Sequence, residues 1–414
     1  MSAGHPVSPL APTEITRLAP LAGVRLAVTA AGIRYKGRTD LLLAVMDDGA
    51  SVAGAFTRSK TCSAPVEWCR ARLGGGRARA VVVNAGNANA FTGSAGVKTV
   101  KATARAAARA AGCGPEEVFI ASTGVIGEPL DPAPIETALP GLVAAATADA
   151  WEPAARAIMT TDTFPKLATR SARLGGAQVT INGIAKGSGM IAPDMATMLV
   201  FIFTDAALPA RILQKLLDRA VGQSFNCITV DGDTSTSDTV ILCATGKTGG
   251  KLADLRSPDD ARLRGFGRAL DDLTRELAHQ VVKDGEGAEK FIAITVKGAE
   301  NAAAARRIGL AIGNSPLVKT AIAGNDANWG RIVMAVGKAG EKAERDRLKI
   351  TIGGISVARG GKVDPSYREA DVVPHMAGRN IDIVVDVGVG KGRSTVWTCD
   401  LTHRYIDING SYRS

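Results

Sequence analysis

An α/β fold with mixed sheets, in two or three tightly associated units, is what this sequence predicts. Three observations predict it. Short β-branched runs alternate with amphipathic or Ala-rich helical stretches along the chain. The 414 residues exceed what one hydrophobic core usually organises. No internal repeat and no low-complexity linker interrupts them, so the units are expected to pack closely.

In chain order, VRLAVTAAGI, DLLLAVM and ARAVVVN are apolar runs bounded by glycine or charge, and each predicts a strand. Val97 to Gly112 is Ala-rich and ends on glycine, the pattern of a helix with its stop signal. VFIAS (118–122) predicts a strand running into a turn at Thr123-Gly124, and a helical pair is expected over 132–160. QVTINGIAKG and MLVFIFTD (198–205) return to strand character, the second apolar enough to be covered on both faces. PARILQKLLDRAVGQ is an amphipathic helix opened by Pro209. A strand NCITV, the polar run DGDTSTSD and a strand TVILCAT follow. A long amphipathic helix is expected from about Asp259 to Val282, stopping at DGEG. FIAITVKG, ITIGGISV, DIVVDVGVG and STVWTCD make the last part strand-rich, with helices near 301–312 and 329–337.

Composition excludes several classes of function. Apolar residues are 46% of the chain, yet no uninterrupted run reaches the roughly 18 residues of a membrane span. The start MSAGHPVSPLAPTEI has prolines and a glutamate where a secretory peptide would carry a basic and then an apolar stretch, so a cytoplasmic location is expected. Six cysteines form no C-x-x-C pair and the four histidines are scattered, so neither a metal site nor disulfides are expected. Most of the cysteines sit among apolar or small residues and are expected to be buried thiols. The formal charge of +10 would suit nucleic acid or small carboxylate-bearing substrates. The basic stretches RARLGGGRARA and KATARAAARAAG are short and carry no aromatics, which are 4% of the chain, and this disfavours nucleic acid.

Three short patterns mislead. Gly187-Ser188-Gly189-Met190-Ile191-Ala192 fits the dinucleotide fingerprint, but Pro193 follows where that motif needs a helix. Gly246-Lys247-Thr248 resembles the end of a phosphate loop, but Ile241 stands where its leading glycine belongs. The strand ITV with Asp231-Gly232-Asp233-Thr234 resembles the first motif of the haloacid-dehalogenase-like phosphatases, whose first aspartate attacks phosphorus. Those enzymes also need a later acidic pair after an apolar strand. Here Asp259-Asp260 and Asp271-Asp272 lie in polar, helical contexts.

KGSGMIAPDMATMLVFIFTDA (186–206) points elsewhere once it is taken as a whole. With NAGNANAFTG (84–93), STGVIG (122–127), MTTDTFPK (159–166), SFNCITVDGDTSTSDT (224–239), DGEGAEK (284–290), GNDANWGRI (324–332) and INGSYRS (408–414), the chain resembles the ornithine acetyltransferase family of arginine biosynthesis over nearly its full length. The resemblance implies a layered α-β-β-α core of the kind found in aminopeptidases with an N-terminal nucleophile, plus a smaller strand-rich C-terminal domain. It divides the chain into a catalytic α/β domain at 1–207, a middle α/β region at 208–288 completing the core, and a C-terminal α/β domain at 289–414.

By the same resemblance the chain cuts itself between Ala196 and Thr197, and Thr197 becomes the nucleophile. The chemistry agrees. A threonine hydroxyl needs an adjacent base. An N-terminal α-amino group, with a pKa of about 7.7–8.0, can serve as that base, but only after the bond is cut. Thr123 and Gly124 are implied as donors to the oxyanion, each typically worth roughly 2.7–4 kcal/mol. Thr160, Lys186, Glu286, Asn409 and Ser414, with Thr197, map onto substrate positions. A lysine ammonium suits a substrate carboxylate and a glutamate suits a substrate ammonium group.

The implied cycle is ping-pong: N-acetylornithine acylates Thr197, ornithine leaves, and glutamate takes the acetyl group. No metal or organic cofactor is implied. Some family members also accept acetyl-CoA, and an aminopeptidase of the same superfamily is the alternative. Cleavage would leave fragments of 196 and 218 residues (414 minus 196), expected as an α2β2 assembly. The sequence departs from the family's pattern at Ala121, Ala327 and Ser411, where cysteine, proline and an acidic residue are common.

Overall fold

The computed structural model describes residues 6–34, 36–192, 198–249 and 254–410. From the N-terminus come β1 (Val24–Thr29), β2 (Leu41–Met46), β3 (Ser51–Phe56), α1 (Ala64–Leu73), β4 (Ala80–Asn87), α2 (Gly93–Ala111) and β5 (Val118–Val125). Then follow α3 (Ala133–Ala145), α4 (Trp151–Ala157), β6 (Lys166–Leu174), β7 (Ala177–Lys186), β8 (Leu199–Ala206), α5 (Ala210–Gln223), β9 (Thr239–Thr248) and α6 (Arg264–Lys283). The last part holds β10 (Phe291–Ala299), α7 (Ala302–Gly313), α8 (Pro316–Ala323), α9 (Trp329–Gly337), β11 (Lys349–Ile352), β12 (Ile355–Arg359), β13 (Lys362–Val363), α10 (Glu369–Met376), β14 (Asn380–Asp386), β15 (Gly392–Cys399) and α11 (His403–Asn409).

Two sheets face each other. One has the order β1-β2-β4-β5 and the other β3-β9-β8-β7-β6. Leu42, Val81, Val83 and Phe119 of the first meet Ile184, Phe201, Phe203 and Ile241 of the second in one core between them. The outer face of the first sheet packs Leu41, Leu43 and Val82 against Val100 and Ala104 of α2 and Leu139 of α3. The outer face of the second packs Val200, Ile202 and Leu242 against α5 and α6. The layers are therefore helix, sheet, sheet, helix, as the resemblance implied. MLVFIFTD, covered on both faces, is the central strand β8 of the second sheet.

Both sheets are mixed: β4 runs parallel to β5 and β8 parallel to β9, while their other neighbours are antiparallel. A third sheet, β13-β12-β11-β14-β10-β15, carries α7, α8, α9 and α10 over its own apolar core. Among the described residues no helix is long and apolar enough to cross a membrane. Cys69, Cys227, Cys243 and Cys399 are buried and unpaired, and burial pushes the Cys69 and Cys243 thiols up to about 12.

Three local expectations need correction, and two strands were not expected. NCITV is not a strand: Phe225–Cys227 closes a tight turn through Cys227 N–H donating to Ser224 O at 2.8 Å. The following Ile228 makes only an isolated bridge to Trp397, and the Thr229 hydroxyl is spent on Ile191 O at 3.0 Å, so the segment supports a loop instead of joining a sheet. Thr123-Gly124 is no turn after a strand, because β5 continues to Val125. Its pairing with β4 slips opposite Gly86 and Asn87, where the strands nearly touch. The long helix begins at Arg264, behind a single turn at Ala261–Leu263 whose Asp260 side chain accepts Arg262 N–H at 2.9 Å. Finally β3 and β6 carried too many small or polar residues to stand out as strands.

Candidate functional site

The ends of β5 and β7, the loop after α4, the turn after α6 and the last helix converge on one cavity of about 250 Å³. Thr123, Gly124, Thr160, Lys186, Glu286 and Asn409 all line it. Thr161, Ser235, Thr236 and Ser237 share the lining, and their polarity in the quoted runs MTTDT and DGDTSTSD was the only sequence signal for them. Hollows of about 500 and 660 Å³ elsewhere contain none of the six, so convergence and not size marks this site. Ala196, Thr197 and Ser414 lie outside the described residues.

Gly124 holds φ +133°, and a Cβ there would stand 2.2 Å from Gly86 C, so only glycine lets β4 and β5 close together at this point. Beside it Thr123 is buried, and its hydroxyl accepts from Lys186 Nζ at 3.3 Å. Lys186 is also buried, 3.9 Å from Asp162 Oδ2. Burial lowers its ammonium below the ordinary lysine value, with Asp162 pulling the other way and Lys166 reinforcing burial. This makes Lys186 a cation that gains from any carboxylate entering the cavity.

Under that floor lies a buried ionic cluster that sequence reasoning did not assign. Lys166 Nζ, fully buried, donates to Asp162 Oδ1 at 2.7 Å and Asp284 Oδ2 at 2.6 Å. Asp162 further accepts Gly187 N–H at 2.7 Å and Thr160 N–H at 3.0 Å, which ties both flanks of the cavity to one carboxylate. Burial alone would raise the Asp162 carboxyl, but the Lys166 and Lys186 charges hold it well below the usual carboxylate range.

On the outer side Glu286 N–H donates to Ser188 O at 3.0 Å, and its side chain lies against Gly189. A Cβ on Gly189 would sit 2.4 Å from the Glu286 carboxyl, so the second glycine of KGSGM makes room for a carboxylate. Asn409, at the end of α11, donates to Glu286 Oε2 at 2.7 Å. Burial raises the Glu286 carboxyl above its ordinary value, against hydrogen bonds from Asn409 and Thr161.

The phosphatase-like aspartate is accounted for. Asp231 accepts Met190 N–H at 2.6 Å and Ile191 N–H at 2.9 Å, and pins the KGSGMI loop to the loop that leads from α5 to β9. It also accepts a hydrogen bond from the Tyr405 hydroxyl at 3.3 Å. Among the described residues no group of three or more histidine, cysteine or acidic side chains is placed to hold a metal ion.

The ArgJ family model matches residues 25–414. The chain belongs to the ArgJ family. It is 61% identical over 409 residues to the Arginine biosynthesis bifunctional protein ArgJ of Rhizobium meliloti (strain 1021), covering 99% of each chain. The Agrobacterium fabrum (strain C58) protein of the same name is 59% identical over 410 residues, again with 99% of each covered. Among solved structures, an Arginine biosynthesis bifunctional protein argJ from Bacillus halodurans aligns with a TM-score of 0.48 at 37% identity, covering 51% of this chain and 98% of that one. Ornithine acetyltransferase from Mycobacterium tuberculosis, crystallised with ornithine, aligns with a TM-score of 0.38 at 38% identity over 42% of this chain and 93% of that one.

Proposed function

We propose that this ArgJ-family enzyme moves the acetyl group of N2-acetyl-L-ornithine to L-glutamate through an acetyl ester on Thr197, after the chain has cut itself between Ala196 and Thr197. The observation that carries this is the convergence of Thr123, Gly124, Thr160, Lys186, Glu286 and Asn409 on one small polar cavity. Met198, the residue after Thr197, is fixed nearby: its N–H donates to Asp238 Oδ1 at 3.0 Å and its carbonyl accepts Thr239 N–H at 3.1 Å.

Lys186 at the floor takes the carboxylate that both substrates carry, and Glu286 on the outer wall takes an ammonium group. Thr123 and Gly124 present donors where the carbonyl oxygen gathers charge in the tetrahedral intermediate. Thr197 Oγ attacks the acetyl carbonyl while its α-amine takes the hydroxyl proton. Ornithine leaves with that proton, and the amine of glutamate then attacks the ester and restores the hydroxyl. Acetyl-CoA acylates the same threonine in a second activity, which fits the bifunctional name of the relatives. The mature enzyme is a cytoplasmic α2β2 assembly of the two fragments.

Intact-mass spectrometry of the protein and of Thr197→Ala tests the first step. The parent is expected as two fragments, the second beginning at Thr197, and the variant as one inactive chain. A single full-length mass from active parent protein would sink the cleavage mechanism. Ornithine release that does not depend on added glutamate would replace acetyl transfer by hydrolysis.

A further inference from the structure

Residues 6–12, PVSPLAP, form neither helix nor strand, yet they lie against the outer wall of the cavity. Prolines at 6, 9 and 12 fix the backbone at intervals, which lowers the entropy lost when the segment is held to one path. Leu10 and Ile15 anchor it, each partly buried against one of the two cores that flank the second sheet. Pro6, Ser8 and Pro9 share a narrow gap with Thr161, Glu286 and Ile408. Glu286 therefore stands between this segment and the cavity.

Ser8 is half-buried and has all its polar groups engaged. Two bonds are local and shape the turn: its hydroxyl accepts Leu10 N–H at 3.2 Å and its carbonyl accepts Ala11 N–H at 3.0 Å. Its two donors reach much further along the chain. Ser8 N–H donates to Thr163 Oγ1 at 2.9 Å, and Ser8 Oγ donates to Lys283 O at 2.6 Å. Lys283 closes α6, where the last carbonyls have no partner within the helix, and Ser8 supplies one. Thr163 in turn donates to Asp284 through its N–H at 2.9 Å and through its hydroxyl.

These bonds clamp together the two stretches that build the wall. MTTDTFPK brings Thr160 and Thr161 to the cavity, and DGEGAEK brings Glu286, two residues after Asp284. Thr161 also hydrogen-bonds the Glu286 carboxyl. A serine that only shaped a turn would need the Leu10 and Ala11 bonds alone. We propose that Ser8 is a positioning residue for Glu286, holding the wall carboxylate where it meets the ammonium group of a substrate. The inference rests on the reading of Glu286 given above and deepens it. Ser8 does not itself line the cavity, so it acts through the wall and not on the substrate.

The experiment is a double-mutant cycle. KM for acetylornithine and for glutamate, kcat and the melting temperature are measured for the parent, Ser8→Ala, Glu286→Gln and the double variant. Ser8→Thr, which keeps the hydroxyl, is the conservative replacement. Ser8→Ala should raise the same KM that Glu286→Gln raises, by about two- to tenfold, with kcat and the melting temperature near those of the parent. In the Glu286→Gln background it should add less than about twofold, and Ser8→Thr should restore the parental KM.

An additive rise in the double variant overturns the proposal, because Ser8 would then act elsewhere than on Glu286. An unmoved KM in Ser8→Ala, where Glu286→Gln raises it, also overturns the proposal and leaves the reading of the wall intact. A lowered melting temperature with both KM values unmoved makes Ser8 a residue of the fold alone, and equally overturns it. Should Glu286→Gln leave both KM values unmoved, the reading of the wall fails and the role of Ser8 fails with it.

Discussion

The cavity has two carboxylates in opposite states, one in its floor and one in its outer wall. Asp162, below, lies between Lys166 and Lys186, accepts two backbone N–H groups besides, and is held below the usual range. Glu286, on the wall, has amide and hydroxyl partners and, among the described residues, no lysine in salt-bridge contact, and burial raises it. The difference teaches what each is for. A carboxylate already neutralised can fix geometry and has little left for a ligand. One that is buried without a cation gains most when a substrate brings one.

The largest effect should come from breaking the floor. Lys166→Met leaves Asp162 and Asp284 facing each other, both buried, with their shared cation gone. Removing one partner of a buried ion pair typically costs roughly 3–5 kcal/mol. We expect a melting point lowered by many degrees and acetyl transfer lost with it. The control is Glu152→Ala, which removes an exposed pair with Arg156 at 2.8 Å and should change stability by less than about 1 kcal/mol. Equal melting points for the two variants would end the distinction between a structural floor and a functional wall.

Glu286→Gln comes next, and acts on binding more than on folding. It removes the negative charge while keeping an acceptor for Asn409. KM for acetylornithine or for glutamate, whichever brings an ammonium group to this wall, should rise on the order of tenfold or more, a change of about 1.4 kcal/mol. The pH dependence has a fixed sign. A carboxyl raised in the folded state favours folding while it is protonated, so its contribution is full below the ordinary glutamate range and is lost as pH rises through the raised value. Binding of the ammonium group runs the other way and weakens as pH falls through that same value. KM in the parent should therefore climb on the acid side, and Glu286→Gln should abolish the climb.

Strands and helices whose apolar face is continuous were legible in the sequence: β8 needed only its unbroken apolar run, α5 its periodicity, and α2 its Ala-rich run and closing Gly112. NCITV failed because its polar atoms answer to distant partners, Ile191 O and Asn314 Oδ1, which no local window contains. The six cavity residues came from the resemblance, and no spacing could have joined Gly124 to Asn409 across 285 residues (409 minus 124). The floor was illegible for a related reason. Asp162 and Lys166 look like an ordinary i,i+4 pair until Asp284, 118 residues from Lys166, arrives to complete the cluster. Gly189 looked like part of a nucleotide motif because glycine says that something comes close without saying what. Here it is the Glu286 carboxyl.

Asn409→Ala should have the smallest effect and gives the finest test of the wall. The side chain sits on the exposed last helix, and its Nδ2 also reaches Tyr405 O at 3.0 Å. Losing one hydrogen bond to Glu286 costs about 0.5–1.5 kcal/mol, so KM should rise no more than about tenfold while kcat and the melting point stay put. The Asn409 hydrogen bond also opposes the upward push of burial on Glu286. Without it the carboxyl moves further up, and the acid-side climb in KM shifts to higher pH. That shift would separate an asparagine tuning the glutamate from one that touches substrate alone, which would raise KM equally at every pH.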